Sequence, residues 1–371
     1  MNRKGLISSI SALAIVLLLW SSEVTAQGVT IPRGSQQASV SQRVGITDIT
    51  ITYHRPSVNE REIWGSLVPY GFTNLGFGPA TAAPWRAGAN ENTLFVTTHD
   101  IKVEGQDLPG GTYGLHMAIQ ENGEVIVIFS KNSTAWGSFF YDEKEDALRV
   151  TVKSEEASHR ELLTFEFAEV STNSATASLV WEKKKIPFKI EADVTGIVTA
   201  NLKKELQSSP GFTYQNWNAA ANFALNNDGD LEQALQWADA SISAPFVGQK
   251  TFGNLSTKAQ ILAKMGKTEE SKKVMDEALP MATILQIHGY GRQLITAGDK
   301  DKALEIFELN AEKNPDTWPV NYGLARGYSA KGDYKTALKY LEKALENAPA
   351  QPQKDRVQAN IDKLKKGENI N

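Results

Sequence analysis

The sequence predicts a two-part fold: an antiparallel β-sandwich or jelly-roll-like domain, then an α-helical solenoid. Three observations predict it. Up to about residue 197, short runs rich in Thr, Val, Ile, Phe and Tyr are separated by Gly, Pro and Asn. Beyond it, alanine-rich helical periodicity takes over, broken by glycine at regular intervals. The charge divides at the same place: residues 27–200 hold 15 Lys/Arg against 21 Asp/Glu, and residues 201–371 hold 22 against 21. The expected boundaries are a leader over 1–26, a β domain over 27–196, helical repeats over 197–366 and a disordered tail over 367–371.

The leader is read from its order of parts. Arg3 and Lys4 form a basic start, an apolar run extends from Leu13 to Trp20, and Val24-Thr25-Ala26 is a small-residue end. That order suits a cleaved signal peptide, with the cut before Gln27. The apolar run is short for a membrane span, and no later segment approaches membrane length. An exported chain, periplasmic or extracellular, with no membrane span after cleavage is therefore expected. The chain contains no cysteine, which excludes disulfides and a lipidated cysteine. Its 371 residues suffice for buried cores without them. A formal net charge of −4 argues against nucleic acid as a partner.

In the β domain, Ile49, Ile51 and Tyr53 alternate with threonines, the period of a strand with one buried face. Asn92–Thr98, Ile101–Glu104, Thr112–Ile119 and Glu124–Ser130 read the same way. Asn122-Gly123 between the last two is a hairpin turn, because both residues accept positive φ. Leu148–Lys153, Glu161–Val170, Ala175–Glu182 and Ile186–Val194 complete about nine strands without intervening helices. Ser66–Pro84, rich in Gly, Pro and Ala, is expected to be a surface loop or lid.

The second half is an internal repeat. Its last unit reads Trp318, Leu324-Ala325, Tyr328, Gly332-Asp333-Tyr334, Ala337, Leu341, Ala344, Pro349. The small residues Ala234, Ser271, Ala303 and Ala337 are spaced 37, 32 and 34 apart. This is the tetratricopeptide period, in which each unit is an antiparallel helix pair. About four such pairs are expected. Their concave groove would receive a protein or peptide partner, with Asn218, Asn222, Asn321 and Arg326 as candidate groove residues.

Several motifs together carry a family resemblance. They are Tyr53-His54-Arg55-Pro56-Ser57-Val58, Arg61-Glu62-Ile63-Trp64-Gly65, Leu67-Val68-Pro69-Tyr70-Gly71, Trp85-Arg86-Ala87-Gly88-Ala89-Asn90-Glu91, Gly110–Leu115, Trp136-Gly137 and Asp146–Val150. Over roughly residues 34–190 the chain resembles the DUF2911 family of secreted proteins, mostly from Bacteroidetes. The resemblance implies a signal peptide, an envelope setting and repeats in the second half, but no reaction. Phe72–Pro84 is an insertion relative to the family's usual run from Pro-Tyr-Gly into Trp-Arg.

Catalytic signatures are not found. His54, His99, His116, His159 and His288 form no zinc spacing, although His54, His99 and His116 can be imagined as a composite site across strands. There is no nucleophile elbow and no phosphate loop, and no metal or cofactor is called for. The polar and aromatic constellation is Tyr53, His54, Arg55, Arg61, Glu62, Tyr70, Trp85, Arg86, Asn90 and Glu91. One reading is structural: the arginines pair internally, Arg86 with Glu62 or Glu91, and tie loops to the sheet. The other is a site for a small anionic or carbohydrate ligand. The preferred function is a non-catalytic binding or scaffold protein of the envelope. The alternative is a ligand-binding or hydrolytic β-sandwich module.

Overall fold

A computed structural model describes residues 31–371. The expected leader over 1–26 lies outside them. The chain divides into one compact unit that ends at Ala192 and a second over Asp193–Asn371. Among the described residues no helix is long and apolar enough to cross a membrane.

Among its described residues the first unit holds ten strands: β1 (Gln36–Val44), β2 (Thr47–Arg55), β3 (Thr93–Thr97), β4 (Ile101–Val103), β5 (Gln106–Leu108), β6 (Gly111–Ile119), β7 (Glu124–Ser130), β8 (Asp146–Lys153), β9 (Glu155–Ala168) and β10 (Ser174–Glu191). They form two antiparallel sheets, ordered β1-β2-β3-β6-β7-β8 and β5-β4-β10-β9. The alternating residues Ile49, Ile51 and Tyr53 are buried, as their period requires. Aromatic rings join the sheets. Phe188 of β10 lies 6.5 Å from Phe95 and 6.1 Å from Phe129, and Tyr53 meets Phe165 edge-on at 4.9 Å. The unit is therefore a sandwich with one shared aromatic core.

Three strands differ from the sequence reading, among them the short β5, where no strand is expected. β1 carries Gln, Ser and Ala rather than large apolar residues, and its edge position needs little burial. β10 is continuous where two strands are expected. The Lys183–Lys185 run crosses register shifts instead of a turn, and Glu182 takes a left-handed φ of 54° there. Val194, expected at a strand end, opens a helix capped by Asp193 through the Gly196 N–H at 3.0 Å.

The length mismatch between β3 and β6 shapes the loops. β3 pairs with β6 only as far as Leu115, whereas β6 continues to Ile119. Trp85 takes up the unpaired edge: its N–H donates to the Met117 carbonyl at 2.9 Å, and the Met117 N–H donates back at 2.8 Å. The Gly71 N–H donates to the Ile119 carbonyl at 2.7 Å. The two ends of the insertion thus satisfy the main chain of a buried strand.

The second unit holds ten helices: α1 (Val194–Glu205), α2 (Tyr214–Asn226), α3 (Leu231–Ser243), α4 (Phe252–Lys264), α5 (Thr268–Ala278), α6 (Ile284–Thr296), α7 (Lys300–Lys313), α8 (Trp318–Ala330), α9 (Tyr334–Glu346) and α10 (Gln351–Lys365). The repeated Gly-Asp pair explains their punctuation. Gly298 and Gly332 take left-handed φ values of 89° and 83°, and the aspartate that follows each caps the next helix. Small residues set the packing distance. Ala234, Ala303, Ala337 and Ala344 are fully buried, and Ser271 is half-buried. A Cβ on Gly291 or Gly323 would come within 2.5 Å or 2.7 Å of the Phe307 ring.

The tail expected to be disordered instead packs. Ile370 is buried in the core made by Tyr322, Leu341 and Val357, and its N–H donates to Ser329 Oγ at 3.2 Å.

Replacing Ala337 or Ala344 with Glu should therefore cost the helical unit about 3–5 kcal/mol, the range for an uncompensated buried charge. Gly323→Ala should cost about 1–3 kcal/mol by overpacking Phe307. Denaturant melts read by circular dichroism at a helical wavelength check both. Wild-type midpoints for the alanine variants would contradict the helix contacts described.

Candidate functional site

A cavity of about 390 Å³ opens on the loop side of the β unit. Most of its residues come from two segments, Arg61–Gly71 and the insertion with Trp85–Asn90, and Ser35, Pro56, Ser138 and Trp181 complete it. Trp85 and Trp181 stand in its wall, stacked at 5.9 Å, with Trp64 edge-on to both at 6.0 and 5.9 Å.

Arg86 is the chemically distinctive group. The Trp85–Met117 bridge pins its neighbour to the sheet, and left-handed turns at Ala87 (φ 49°) and Asn90 (φ 58°) fold the chain back beneath it. Its Nη1 donates to the Asn90 carbonyl at 2.6 Å. The guanidinium carbon lies 5.3 Å from the Trp136 ring and 5.4 Å from the Phe139 ring. Gly137 between those aromatics packs flat on the guanidinium, since a Cβ there would come within 2.5 Å of it. Burial pulls the Arg86 pKa down. Among the described residues Arg86 forms no ion pair with a carboxylate. The expected partnership with Glu62 or Glu91 is not made, because Glu62 is exposed and Glu91 is engaged elsewhere.

The other residues of the constellation separate into distinct roles. Arg61 and Asn90 line the cavity with Trp85 and Arg86. Arg61 is braced by the Val58 and Ser57 carbonyls at 3.0 and 2.6 Å. Asn90 Nδ2 donates to the Ser35 carbonyl at 3.0 Å. Arg55 ties β2 to β9 through the Leu163 carbonyl (2.9 Å) and Thr164 Oγ1 (2.7 Å). Tyr53 is buried between the sheets against Phe165. Tyr70 is exposed, with its ring against Gly65. His54 Nε2 lies 3.3 Å from Glu91, which also accepts from Arg33 at 2.5 Å. Burial raises the Glu91 carboxyl, but the Arg33 hydrogen bond, its own backbone and the Arg33 and His54 charges outweigh that and leave it below the usual range.

Sequence reasoning missed Ser138 and the Trp136-Gly137-Phe139 frame as site residues. The signal was present as the Trp136-Gly137 motif. Ser138 is buried, lines the cavity, and its Oγ lies 3.0 Å from His116 Nδ1. The imagined histidine cluster is not assembled. His99 Nδ1 sits beside Thr47 and Thr98 hydroxyls at 3.2 and 3.1 Å, and His54 and His116 have the separate partners given above. No group of metal-ligating side chains is placed to hold an ion among the described residues.

In the helical unit the four groove candidates form two separate pairs. Asn218 and Asn222 stand on α2, where Asn222 Nδ2 donates to the Asn218 carbonyl and to Thr257 Oγ1 of α4, both at 3.0 Å. Asn321 and Arg326 stand on α8, and Asn321 is buried. Arg326 stacks 5.0 Å from the Tyr322 ring and donates to the Ile370 carbonyl and Asn371 Oδ1 at 3.4 and 3.2 Å, so the C-terminal residues cover it. A more open surface lies on α6, where Gly289, Arg292, Gln293, Thr296 and Ala297 line a depression of about 550 Å³. Beside it, His288 donates from Nδ1 to the Pro319 carbonyl at 3.2 Å and stacks on Tyr322.

His116 provides a pH handle. Burial, and then the Arg86 charge, lower its pKa from 6.5 to about 4. Between those values the unfolded chain binds the proton and the folded chain does not. The stabilisation is complete above pH 6.5 and is lost as pH falls toward 4. Denaturant titrations should show up to about 3 kcal/mol lost across that window from this group. His116→Asn should remove that component. Equal pH slopes for wild type and variant would contradict it.

Comparison with known proteins agrees with this architecture. Residues 35–190 match the family described as protein of unknown function (DUF2911), and residues 319–351 match the tetratricopeptide repeat. No functionally curated protein matches the chain. Similar solved structures include YrrB, described as a TPR protein with an unusual peptide-binding site. It is 18% identical, with a TM-score of 0.29, over 44% of this chain and 84% of that one. The C-terminal part of a TPR repeat-containing protein from Cytophaga hutchinsonii is 15% identical, TM-score 0.34, over 46% and 67%. A tetratricopeptide repeat protein from Parabacteroides merdae is 16% identical, TM-score 0.31, over 47% and 74%. The β unit thus matches the DUF2911 family model, and the α8–α9 helix pair matches a tetratricopeptide repeat.

Proposed function

We propose that this is an exported, non-catalytic scaffold protein of the cell envelope whose helical repeats dock a protein or peptide. The tetratricopeptide repeats carry the reading, since stacked helix pairs present an extended surface that suits a polypeptide. The α6 depression is an opening on that unit where the exposed Arg292 guanidinium and Gln293 amide are available to main-chain and acidic groups. Export rests on the order of basic, apolar and small residues before Gln27.

Site-specific photo-crosslinking in the native host tests the docking. A crosslinker at Gln293 should give a discrete adduct that a crosslinker at the exposed Lys339 of α9 does not. Arg292→Glu, in the same depression, should weaken the adduct. Identical adduct patterns from the two positions would refute the assignment. N-terminal sequencing of the envelope fraction should begin at Gln27; a protein starting at Met1 would overturn the export reading.

A further inference from the structure

We propose that the β unit is itself a receptor for a small organic acid, a carboxylate on an apolar body, bound in the cavity at Arg86. This is independent of the repeats and their partner. The cavity of about 390 Å³ falls within the size range of small-molecule sites. Two arginines, Arg61 and Arg86, line it, no acidic side chain does, and neither arginine is ion-paired among the described residues. A half-buried guanidinium whose donors are largely unmet is costly unless an acceptor completes it, and an anion does so best. Asn90 occupies Nη1, which leaves Nε and Nη2 without a protein acceptor among the described residues. Those two nitrogens form the side of the fork that grips a carboxylate with two parallel hydrogen bonds.

The surroundings narrow the ligand further. Ser138, only 1% exposed, lines the same cavity and is held by His116, which provides a buried hydroxyl for an anion oxygen. Trp85, Trp181, Leu67 and Val68 supply apolar wall for the body of the acid. Arg61 is exposed and therefore screened by water, so the site desolvates one cation. One desolvated cation balances a monoanion, and this favours a carboxylate over a phosphate dianion. The rigid aromatic and glycine frame around Arg86 holds the fork in place before the ligand arrives.

Calorimetric titration of the full chain tests the proposal with acetate, hexanoate, phenylacetate and glucuronate as acids. Phenylacetamide and phenyl phosphate serve as comparators. Hexanoate or phenylacetate should bind saturably, at least about tenfold tighter than acetate, and phenylacetamide should bind at least about tenfold more weakly than phenylacetate. Arg86→Gln should weaken the bound acid at least about tenfold, and Arg61→Gln, at an exposed position, should weaken it less. No saturable binding of any acid below about 10 mM would overturn the proposal. So would tighter binding of phenyl phosphate than of every acid, glucuronate as the sole ligand, or unchanged affinity in Arg86→Gln. If Arg86→Gln does not fold, loss of affinity in Arg61→Gln together with discrimination against the amide supports the site, and the absence of both refutes it.

Discussion

The pair of main-chain hydrogen bonds between Trp85 and Met117 is the constraint on which the first unit's loop side depends. β6 is longer than its neighbour β3, and its outer edge would otherwise carry buried, unpaired peptide groups. The chain meets that demand with two isolated residues, Trp85 and Gly71, instead of a longer strand. Everything between and after them inherits its position. Trp85 is placed against Trp64 and Trp181, Arg86 follows at a fixed point over the sheet end, and the insertion becomes cavity wall. A requirement of the backbone thus decides where the most unusual side chain of the unit sits.

Arg86 and Arg55 show how the same residue type serves opposite ends. Arg55 is consumed by the fold: its donors go to β9, and it helps hold one sheet on the other. Arg86 is framed by aromatics and glycine but given only one protein acceptor among the described residues. A structural arginine of similar burial has its donors taken up by the protein, as those of Arg55 are by β9 and those of Arg149 by Asp146 and Tyr141 at 2.5 Å each. What sets Arg86 apart from Arg55 and Arg149 is that it keeps donors the protein does not use among the described residues, and the proposed acid site rests on that difference.

Much of this was legible in the sequence. The sandwich followed from alternation in β2 and β6, and the repeats followed from Gly-Asp punctuation and buried small residues, both of which depend only on local spacing. β1 was illegible because its edge position tolerates Gln and Ser, and the continuity of β10 was hidden because a bulge can absorb three lysines. Of the ten polar and aromatic residues singled out, four share the cavity: Arg61, Trp85, Arg86 and Asn90. Of the rest, Tyr53 and Arg55 have partners on β9 that sheet packing fixes, His54 and Glu91 meet each other, and Glu62 and Tyr70 are exposed, none of which motif adjacency reveals. Ser138 was missed for the same reason: its proximity to His116 arises from pairing between strands and loops distant in sequence.

The helical unit makes the complementary point about groove residues. Asparagine and arginine on first helices look alike in sequence, yet their fates diverge. Asn222 bonds to the next first helix, so it spaces repeats rather than waiting for a ligand. Arg326 is covered by Ile370 and Asn371, and this cover also seals the last apolar face of the stack. A solenoid must cap its terminal repeat, and the C-terminal residues that do so here also take up the Arg326 guanidinium. The proposed docking surface lies further back, on α6, where Arg292 and Gln293 are exposed. With the terminal face closed by Ile370, the open polar side chains that the proposed docking uses stand toward the middle of the stack.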